Sequence, residues 1–236
     1  MNSIDVIVPA FNEEKTIGAC LQALTHQTFS GKYRIIVIDN NSTDNTKKIA
    51  QSFPGVIVKS EKRKGYVFAV KTGVERYSDA PIVAQTDADT IVDSHWLEEI
   101  SNAFTNDQDL IACGGPFYFH DGNRILRSIV NHINYVNPKA FSFYLCGVNM
   151  AYKKKSYLKV GGYDTTINLG ADTYLGMKLN RIGKVKFFTS QFVITTSRRF
   201  SQPRYLLKEF TRQSSNFLSL KIRSKPLFFA NTDYRN

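Results

Sequence analysis

The sequence predicts an α/β protein with a mostly parallel central sheet and helices on both faces. Short apolar runs alternate with helix-like segments through residues 1–115, and a polar cluster follows most of these runs. Continuous apolar strands that alternate with helices are typical of a parallel sheet buried on both faces. Ligands of such sheets bind beyond the carboxyl ends of the strands, so the polar clusters form the candidate site.

The elements of the first half follow from apolar runs and from helical spacing. Ile17, Leu21 and Leu24 recur at the spacing of one helix face, and Ser, Thr and Asp precede a second helix as capping candidates. Strands are expected over 4–10, 33–39, 56–59, 81–87 and 110–115, and helices over 15–27, 42–53, 66–77 and 94–105.

The second half is less regular. It predicts a helix over 123–136, a strand followed by a short helix and a glycine turn over 147–164, a helix from Ala171 to Gly183, strands over 184–188 and 192–197, and a long basic helix over 203–222. Because no repeat or linker interrupts the chain, residues 1–236 are expected to form one continuous domain.

Composition restricts the class of protein. The three cysteines are far apart and form no CxxC pair, so we expect reduced, cytosolic thiols and neither a disulfide framework nor a zinc site. The uncharged stretch 140–152 is too short to span a membrane, and the amino terminus lacks the features of a signal peptide. The net charge of +11 favours anionic partners such as nucleic acid, a membrane surface or phosphorylated small molecules.

Asp87 and Asp89 raise the central question, because they stand together directly after a buried strand in "QTDADT". Carboxylates this close repel each other unless solvent or a cation separates them. A strand-end D-x-D suits Mg²⁺ or Mn²⁺, which prefer carboxylate oxygens. A solvated turn with helix-capping aspartates is the alternative, and the pair alone does not decide.

Two other clusters also have two interpretations. Asp39 ends a strand in "VIDNNSTD", where an acid often binds a ribose hydroxyl or a base N–H, but the same segment is rich in turn formers. Lys62, Arg63, Lys64 and Gly65 form either a phosphate-binding loop before a helix or a solvated basic loop.

Five motifs, taken in order, resemble family 2 glycosyltransferases, which are inverting enzymes with the GT-A fold that use nucleotide-sugar donors. The motifs are "VIVPAFNEEKTIGACLQAL", "VIDNNSTDNT", "KGYVFAVKTG", "TDADT" and "GGYD…ADTYLGMKLNRIG". They cover residues 3–200, and the resemblance implies a role in cell-wall or polysaccharide biosynthesis.

The resemblance assigns roles to the strand ends. The loop with Pro9, Ala10, Phe11 and Glu13 is expected to pack on the donor base and ribose, and Asp39 to recognise the nucleoside. Lys64 and Gly65 are expected beside the base and ribose. Asp87, Ala88 and Asp89 match the metal motif, which implies that Mn²⁺ or Mg²⁺ bridges Asp89 and the donor diphosphate.

The resemblance also implies a catalytic base. The family usually has a Glu-Asp pair after a "GG-aromatic-D" stretch, whereas this chain has Ala171 and Asp172. The aspartate is kept at a predicted helix start, where the dipole favours an ionised carboxylate, although an N-cap is the alternative. Arg198 and Arg199 are expected to clamp the diphosphate, since guanidinium groups pair well with phosphate oxygens.

The resemblance divides the expected domain into a donor- and metal-binding half (1–115), an acceptor-binding half (116–200) and a basic helix and tail (201–236). The donor is expected to be a UDP sugar, with GDP as the second choice, and the acceptor a saccharide or a polyprenyl phosphate. The basic helix suggests peripheral contact with the inner face of a membrane. Two rivals remain: a nucleotidyltransferase, and a nucleic-acid-binding protein, for which the chain has no recognised motif.

Overall fold

The computed structural model describes residues 3–136, 145–167, 170–198 and 219. The strands are β1 Ile4–Ala10, β2 Tyr33–Asp39, β3 Val56–Ser60, β4 Ile82–Gln85, β5 Thr90–Val92, β6 Leu110–Gly114, β7 Phe117–Phe119, β8 Met150–Lys153, β9 Lys184–Phe187 and β10 Val193–Thr195. The helices are α1 Ile17–Thr25, α2 Thr46–Gln51, α3 Tyr66–Thr72, α4 Trp96–Asn106, α5 Arg124–Val136, α6 Lys154–Lys159 and α7 Ala171–Asn180.

The main sheet has seven strands in the order β3-β2-β1-β4-β8-β6-β9. The pairs β3/β2, β2/β1, β1/β4 and β6/β9 are parallel, while β8 is antiparallel to both of its neighbours. The expected mostly parallel sheet is therefore confirmed. Since β1 to β4 are adjacent and parallel, their carboxyl ends share one edge.

Helices cover both faces of this sheet, as predicted. Val6 and Val8 of β1 face one buried cluster, which contains α1 and α4, while Ile7 faces the other, which contains α3 and α7. The alternation follows from the two-residue repeat of a strand. Burial of each large aliphatic side chain contributes about 1.5–3 kcal/mol, so the two clusters fix the sheet between its helices.

A second sheet of three strands, in the order β5-β10-β7, was not predicted. Strand β10 is antiparallel to β5 and parallel to β7. Strands β5 and β7 have only three residues each, too few for a periodic pattern. Their partner β10 comes about 75 residues after β7 and about 100 after β5, so no local signal marks the sheet.

The predicted helices are confirmed where the structure describes them, with changed ends. The helix expected over 66–77 is α3 followed by a π-helical turn, Gly73–Tyr77. Helix α7 ends at Asn180, three residues before Gly183. The basic helix expected over 203–222 lies outside the described residues except for Ser219. No described helix is long and apolar enough to cross a bilayer.

One buried carboxylate, that of Asp5, lies near the edge of the sheet opposite the strand carboxyl ends. Asp5 of β1 is 1% exposed and accepts two hydrogen bonds from Arg34, at 2.8 and 2.7 Å, and one each from the N–H groups of Asp79 and Ala80. Burial acts to raise the pKa of Asp5, but these four donors together hold it below its usual value. Asp5 is thus a structural anchor, remote from the strand carboxyl ends.

Candidate functional site

A small cavity opens at the carboxyl ends of β1 and β4, where the sequence predicts a site. Its lining residues are Pro9, Phe11, Glu13, Tyr66, Asp87, Ala88 and Asp89. The predicted donor loop and the D-x-D motif therefore meet in space, although about 75 residues separate them in the chain. Ala10 is buried beside them. The clusters after β1 and β4 therefore converge as expected, whereas Asp39 and Lys64 are not among the lining residues.

The loops after β1 and β2 are bonded to each other. The N–H of Thr43 donates to Asn12 Oδ1 at 2.8 Å, and the N–H of Glu13 donates to Thr46 Oγ1 at 2.6 Å. Asp39 is buried, and its Oδ1 lies 3.4 Å from the N–H of Ser42. The predicted turn is therefore present, with Asp39 at its start. This bonding gives the base of the cavity a defined shape.

Asn40 holds the basic loop in place, a role that the sequence analysis missed. Its side-chain nitrogen donates to the carbonyls of Glu61 and Arg63 at 2.8 and 2.7 Å, and its Oδ1 accepts from Gly65 N–H at 2.8 Å. Asn40 is 1% exposed, so these bonds satisfy a buried amide. Lys64 stays exposed, and Gly65 begins the helix that carries Tyr66 into the cavity.

An ion pair stabilises the same loop from within. Arg63 donates to both carboxylate oxygens of Glu61, at 3.0 and 2.7 Å, and Thr72 also donates to Glu61. The Arg63 guanidinium and the Thr72 hydroxyl lower the pKa of Glu61 to about 2. Arg63 therefore supports the loop through its ion pair with Glu61.

Asp87 and Asp89 are partly buried, so the alternative of an open solvated turn is wrong. Asp89 accepts a hydrogen bond from Thr196 at 2.8 Å and lies 3.4 Å from the Thr195 hydroxyl. Both threonines belong to β10 or follow it directly. The second sheet therefore orients Asp89, and only the folded structure reveals this.

Arg198 supplies positive charge beside these carboxylates. Its guanidinium is paired with Glu13 and lies 3.8 Å from Asp89 Oδ2. Both carboxylates raise the pKa of Arg198 above its usual value, the bonded Glu13 most. Arg198 thus stands at the mouth of the predicted diphosphate site, and Arg199 lies outside the described residues.

The donor set at this edge fits a hard divalent cation. Among the described residues no group of three or more His, Cys, Asp or Glu side chains converges to hold an ion. Asp87 and Asp89 supply carboxylate oxygens at one cavity, and Mg²⁺ is usually bound by one or two carboxylates with phosphate and water completing its shell. The pair therefore suits an ion that arrives with a diphosphate.

Asp172 lies in the first turn of α7, which begins after Gly170. The alternative that Asp172 is the N-cap is wrong, because Gly170 occupies that position. Asp172 Oδ1 accepts a hydrogen bond from Tyr163 at 2.5 Å. A Cβ added to Gly147 would stand 2.8 Å from Asp172 Oδ2 and 1.8 Å from the Tyr66 hydroxyl, so Asp172 approaches the cavity lining through Tyr66.

The comparison with family models decides the family. The model described as "Glycosyl transferase family 2" matches residues 5–161, about two thirds of the chain. The chain belongs to glycosyl transferase family 2. Glycosyltransferase AglE of Haloferax volcanii is 35% identical over 127 residues, which cover 50% of this chain and 41% of that protein. Chondroitin synthase of Escherichia coli is 26% identical over 190 residues, covering 78% of this chain and 27% of that protein.

Two solved structures share the fold. S. aureus TarS 1–349 superposes with a TM-score of 0.69 at 16% identity, over 94% of this chain and 75% of that one. The mannosyltransferase PcManGT of Pyrobaculum calidifontis, solved with GDP-Man and Mn²⁺, gives a TM-score of 0.65 at 22% identity, over 88% and 63%. The expected GT-A fold is confirmed. This family 2 chain spans about half or less of the length of the curated relatives it matches first.

Proposed function

We propose that this protein is an inverting glycosyltransferase that moves a sugar from a nucleoside-diphosphate donor to an acceptor hydroxyl or lipid phosphate. The observation that carries the proposal is the cavity that joins the Pro9–Glu13 loop to Asp87 and Asp89. Membership of family 2 supports it. So do the ligands named for similar structures, UDP-GlcNAc with TarS and GDP-Man with PcManGT. A UDP sugar is our first choice of donor, and a GDP sugar the second.

The donor's nucleoside would bind along the ends of β1 to β3. Pro9 and Phe11 supply apolar surface for the base, and Asp39 accepts hydrogen bonds from it or from the ribose. Lys64 and Gly65 would lie beside the base and ribose, because Asn40 ties their loop to the end of β2. Ala10 and Ala88 are small, and both are buried at this edge, so they would let the donor approach the backbone there.

Asp87 and Asp89 would hold Mn²⁺ or Mg²⁺, which neutralises the negative charge that develops on the leaving diphosphate. Thr196 keeps the Asp89 carboxylate oriented toward the cavity. Arg198 would exchange its contact with Glu13 for the diphosphate, since its guanidinium already lies within 4 Å of Asp89. Arg198 and a metal ion at Asp87 and Asp89 would therefore both offset the negative charge of the diphosphate.

Asp172 would act as the general base. It accepts the proton of the acceptor hydroxyl while the acceptor oxygen attacks the anomeric carbon, because an ordinary carboxylate is too weak a base to remove that proton beforehand. One displacement inverts the anomeric centre. We propose that a saccharide or a polyprenyl phosphate enters from the side of residues 116–200, in the cytoplasm and close to the inner face of a membrane.

The test is calorimetric titration of UDP and of GDP, each with and without Mn²⁺, on the wild type and on Asp89→Ala. We expect Mn²⁺-dependent binding of one nucleotide, weakened at least tenfold by the substitution. Asp109→Ala is the matched control, because this exposed aspartate precedes β6 at the opposite edge of the sheet. Its affinity is expected to equal that of the wild type.

If neither nucleotide binds with or without Mn²⁺, the donor-site proposal is wrong. Tight, salt-sensitive binding of oligonucleotides would then support a nucleic-acid-binding protein. Release of pyrophosphate from a nucleoside triphosphate would instead indicate a nucleotidyltransferase. Unchanged Mn²⁺ dependence in Asp89→Ala would overturn only the metal role of Asp89.

A further inference from the structure

A chain of buried hydrogen bonds connects the cavity lining to Asp172. The side-chain nitrogen of Gln85 lies 2.6 Å from the Tyr66 hydroxyl, and its side-chain oxygen lies 3.0 Å from the Tyr163 hydroxyl. The Tyr163 hydroxyl lies 2.5 Å from Asp172 Oδ1. Gln85 and Tyr163 are 0% and 1% exposed, so solvent does not reach the middle of the chain, while Tyr66 and Asp172 at its two ends are partly buried. Residues of α3, β4 and the turn before α7 thus form one chain of contacts that ends at Asp172.

The proton of Tyr163 points at Asp172. A phenol carries one proton, and an ionised carboxylate is a stronger acceptor than an amide carbonyl. Burial and the negative charge of Asp172 raise the pKa of Tyr163 well above its ordinary value, so the hydroxyl stays protonated. In the structure the Gln85 side-chain nitrogen donates to the Tyr66 hydroxyl, and its oxygen faces the Tyr163 hydroxyl. The reversed amide orientation, which has the same shape, would let Tyr66, Gln85 and Tyr163 each donate toward Asp172.

The turn before Tyr163 is built to bury its side chain. Gly161 and Gly162 both have positive φ, +75° and +58°, a conformation that glycine adopts without strain. A Cβ on Gly162 would stand 2.6 Å from the Tyr157 ring. The Tyr163 N–H donates to the Tyr157 hydroxyl at 3.2 Å, and Lys71 donates to the Tyr163 carbonyl at 3.3 Å. The phenol therefore has little freedom to leave Asp172.

We propose that Tyr163 is a positioning residue that holds Asp172 in the orientation needed to accept the acceptor proton, with Gln85 and Tyr66 as its support. The inference rests on the proposed function, because it assigns Tyr163 a task only if Asp172 is the base. Tyr163 is kept from the substrate by its burial, so it acts through Asp172. It is the aromatic residue of the "GGYD" motif, whose own role the sequence left open.

The first experiment compares Tyr163→Phe with Tyr152→Phe. Both tyrosines are fully buried, but the Tyr152 hydroxyl has no hydrogen-bond partner among the described residues, whereas that of Tyr163 bonds Asp172. The assay measures nucleotide release from UDP-GlcNAc and from GDP-mannose, with Mn²⁺ present and water as acceptor. We expect Tyr163→Phe to lower kcat by about tenfold to a hundredfold with donor KM unchanged. Tyr152→Phe should match the wild type.

The pH profile gives a second reading of the same variants. A carboxylate that loses a hydrogen-bond donor binds a proton more readily, so the acidic limb of kcat should move to higher pH in Tyr163→Phe. Among the described residues, the other titratable groups that face Tyr163 are Tyr66, Tyr152, Tyr157 and Lys71. Phenols and amines ordinarily titrate far above this limb. A limb that stays in place while kcat falls would mean a general packing defect and would overturn the proposal.

A double-mutant cycle with Asp172→Asn decides whether Tyr163 acts through Asp172. If it does, Tyr163→Phe causes no further loss in the Asp172→Asn background. Two losses that multiply would overturn the inference, as would Tyr163→Phe with wild-type turnover. If the wild type releases no nucleotide from either donor, the proposed function and the inference fall together. Multiplying losses, or wild-type turnover of Tyr163→Phe, would overturn the inference but leave the proposed function standing. The two failures are therefore distinguishable.

Discussion

At the scale of single residues, Glu61 is the carboxylate whose environment most clearly links stability to pH. It is 6% exposed, and its bonds to Arg63 and Thr72 depress its pKa to about 2 from an ordinary 4.5. A depressed folded-state pKa stabilises the protein above the unfolded pKa, and this stabilisation is lost as the pH falls from about 4.5 to about 2. The ionised Glu61 carboxylate therefore stabilises the folded protein at neutral pH.

Glu61→Gln should remove this dependence. We expect the substitution to lower the free energy of unfolding at pH 7 by about 2 kcal/mol, because a buried charge-assisted pair loses one partner. The slope of stability against pH between about 4.5 and 2 should flatten. Urea unfolding at pH 7 and pH 3 measures both effects. Glu98→Gln, at an exposed position on α4, is the control, and an equal loss there would refute the assignment.

Gly147 lies where three polar side chains converge, so it tolerates no larger residue. A Cβ there would stand 1.8 Å from the Tyr66 hydroxyl, 2.7 Å from Gln85 Nε2 and 2.8 Å from Asp172 Oδ2. We expect Gly147→Ala to cost about 1–3 kcal/mol of stability and to lower nucleotide release. Thermal unfolding and the release assay measure these losses.

Gly18→Ala is the matched control for that substitution. Gly18 lies in α1 with one neighbouring atom at 3.9 Å, and alanine is the better helix former, so stability should rise slightly. Equal thermal stability and equal nucleotide release in the two variants would show that Gly147 has no special role.

Residue patterns could identify the acids of the site but not their partners. Asp39, Asp87, Asp89 and Asp172 were all candidates because each follows a strand or begins a helix. Asn40, Thr196 and Tyr163 were missed, since their importance comes from hydrogen bonds to residues far away in the chain. Of these three residues, only Tyr163 had a local sign in the sequence, its place in the "GGYD" motif.

At the scale of elements, the small sheet β5-β10-β7 sets the position of the metal motif. Strand β5 directly follows Asp89, and β10 pairs with it while presenting Thr195 and Thr196 to the same carboxylate. Continuous apolar runs predicted β1, β2 and β4, each of which has four to seven buried residues. Strands β5 and β7 of the small sheet were not predicted, because a run of three residues carries no pattern.

Thr196→Val tests that arrangement. The Thr196 hydroxyl donates to Asp89 Oδ2 at 2.8 Å, and valine keeps the shape but not the donor. Loss of a hydrogen bond to a metal-binding carboxylate typically costs about ten- to a hundredfold in metal affinity. We therefore expect about tenfold weaker Mn²⁺-dependent nucleotide binding by calorimetry. Thr105→Val, exposed on α4, should bind as the wild type does, and equal affinities in all three proteins would contradict the role of Thr196.

At the scale of the whole molecule, the net charge of +11 predicts attraction to anionic surfaces. We expect the full chain to sediment with vesicles that contain anionic lipid at about 50 mM salt, and to be released at about 500 mM, where charges are screened within a few ångströms. Neutral vesicles are the control. Binding that ignores salt, or binding to neutral vesicles, would contradict an electrostatic contact.

The order of strands also has a consequence for how the molecule is made. Strands β3, β2, β1 and β4 all lie within the first 85 residues, but β4 receives its second neighbour only when β8, at Met150–Lys153, is available. A ribosome that adds about 5–20 residues per second would leave the edge of β4 unpaired for several seconds. An unpaired strand edge is a template for association with other chains. The growing polypeptide is therefore most in need of a chaperone between the synthesis of β4 and that of β8.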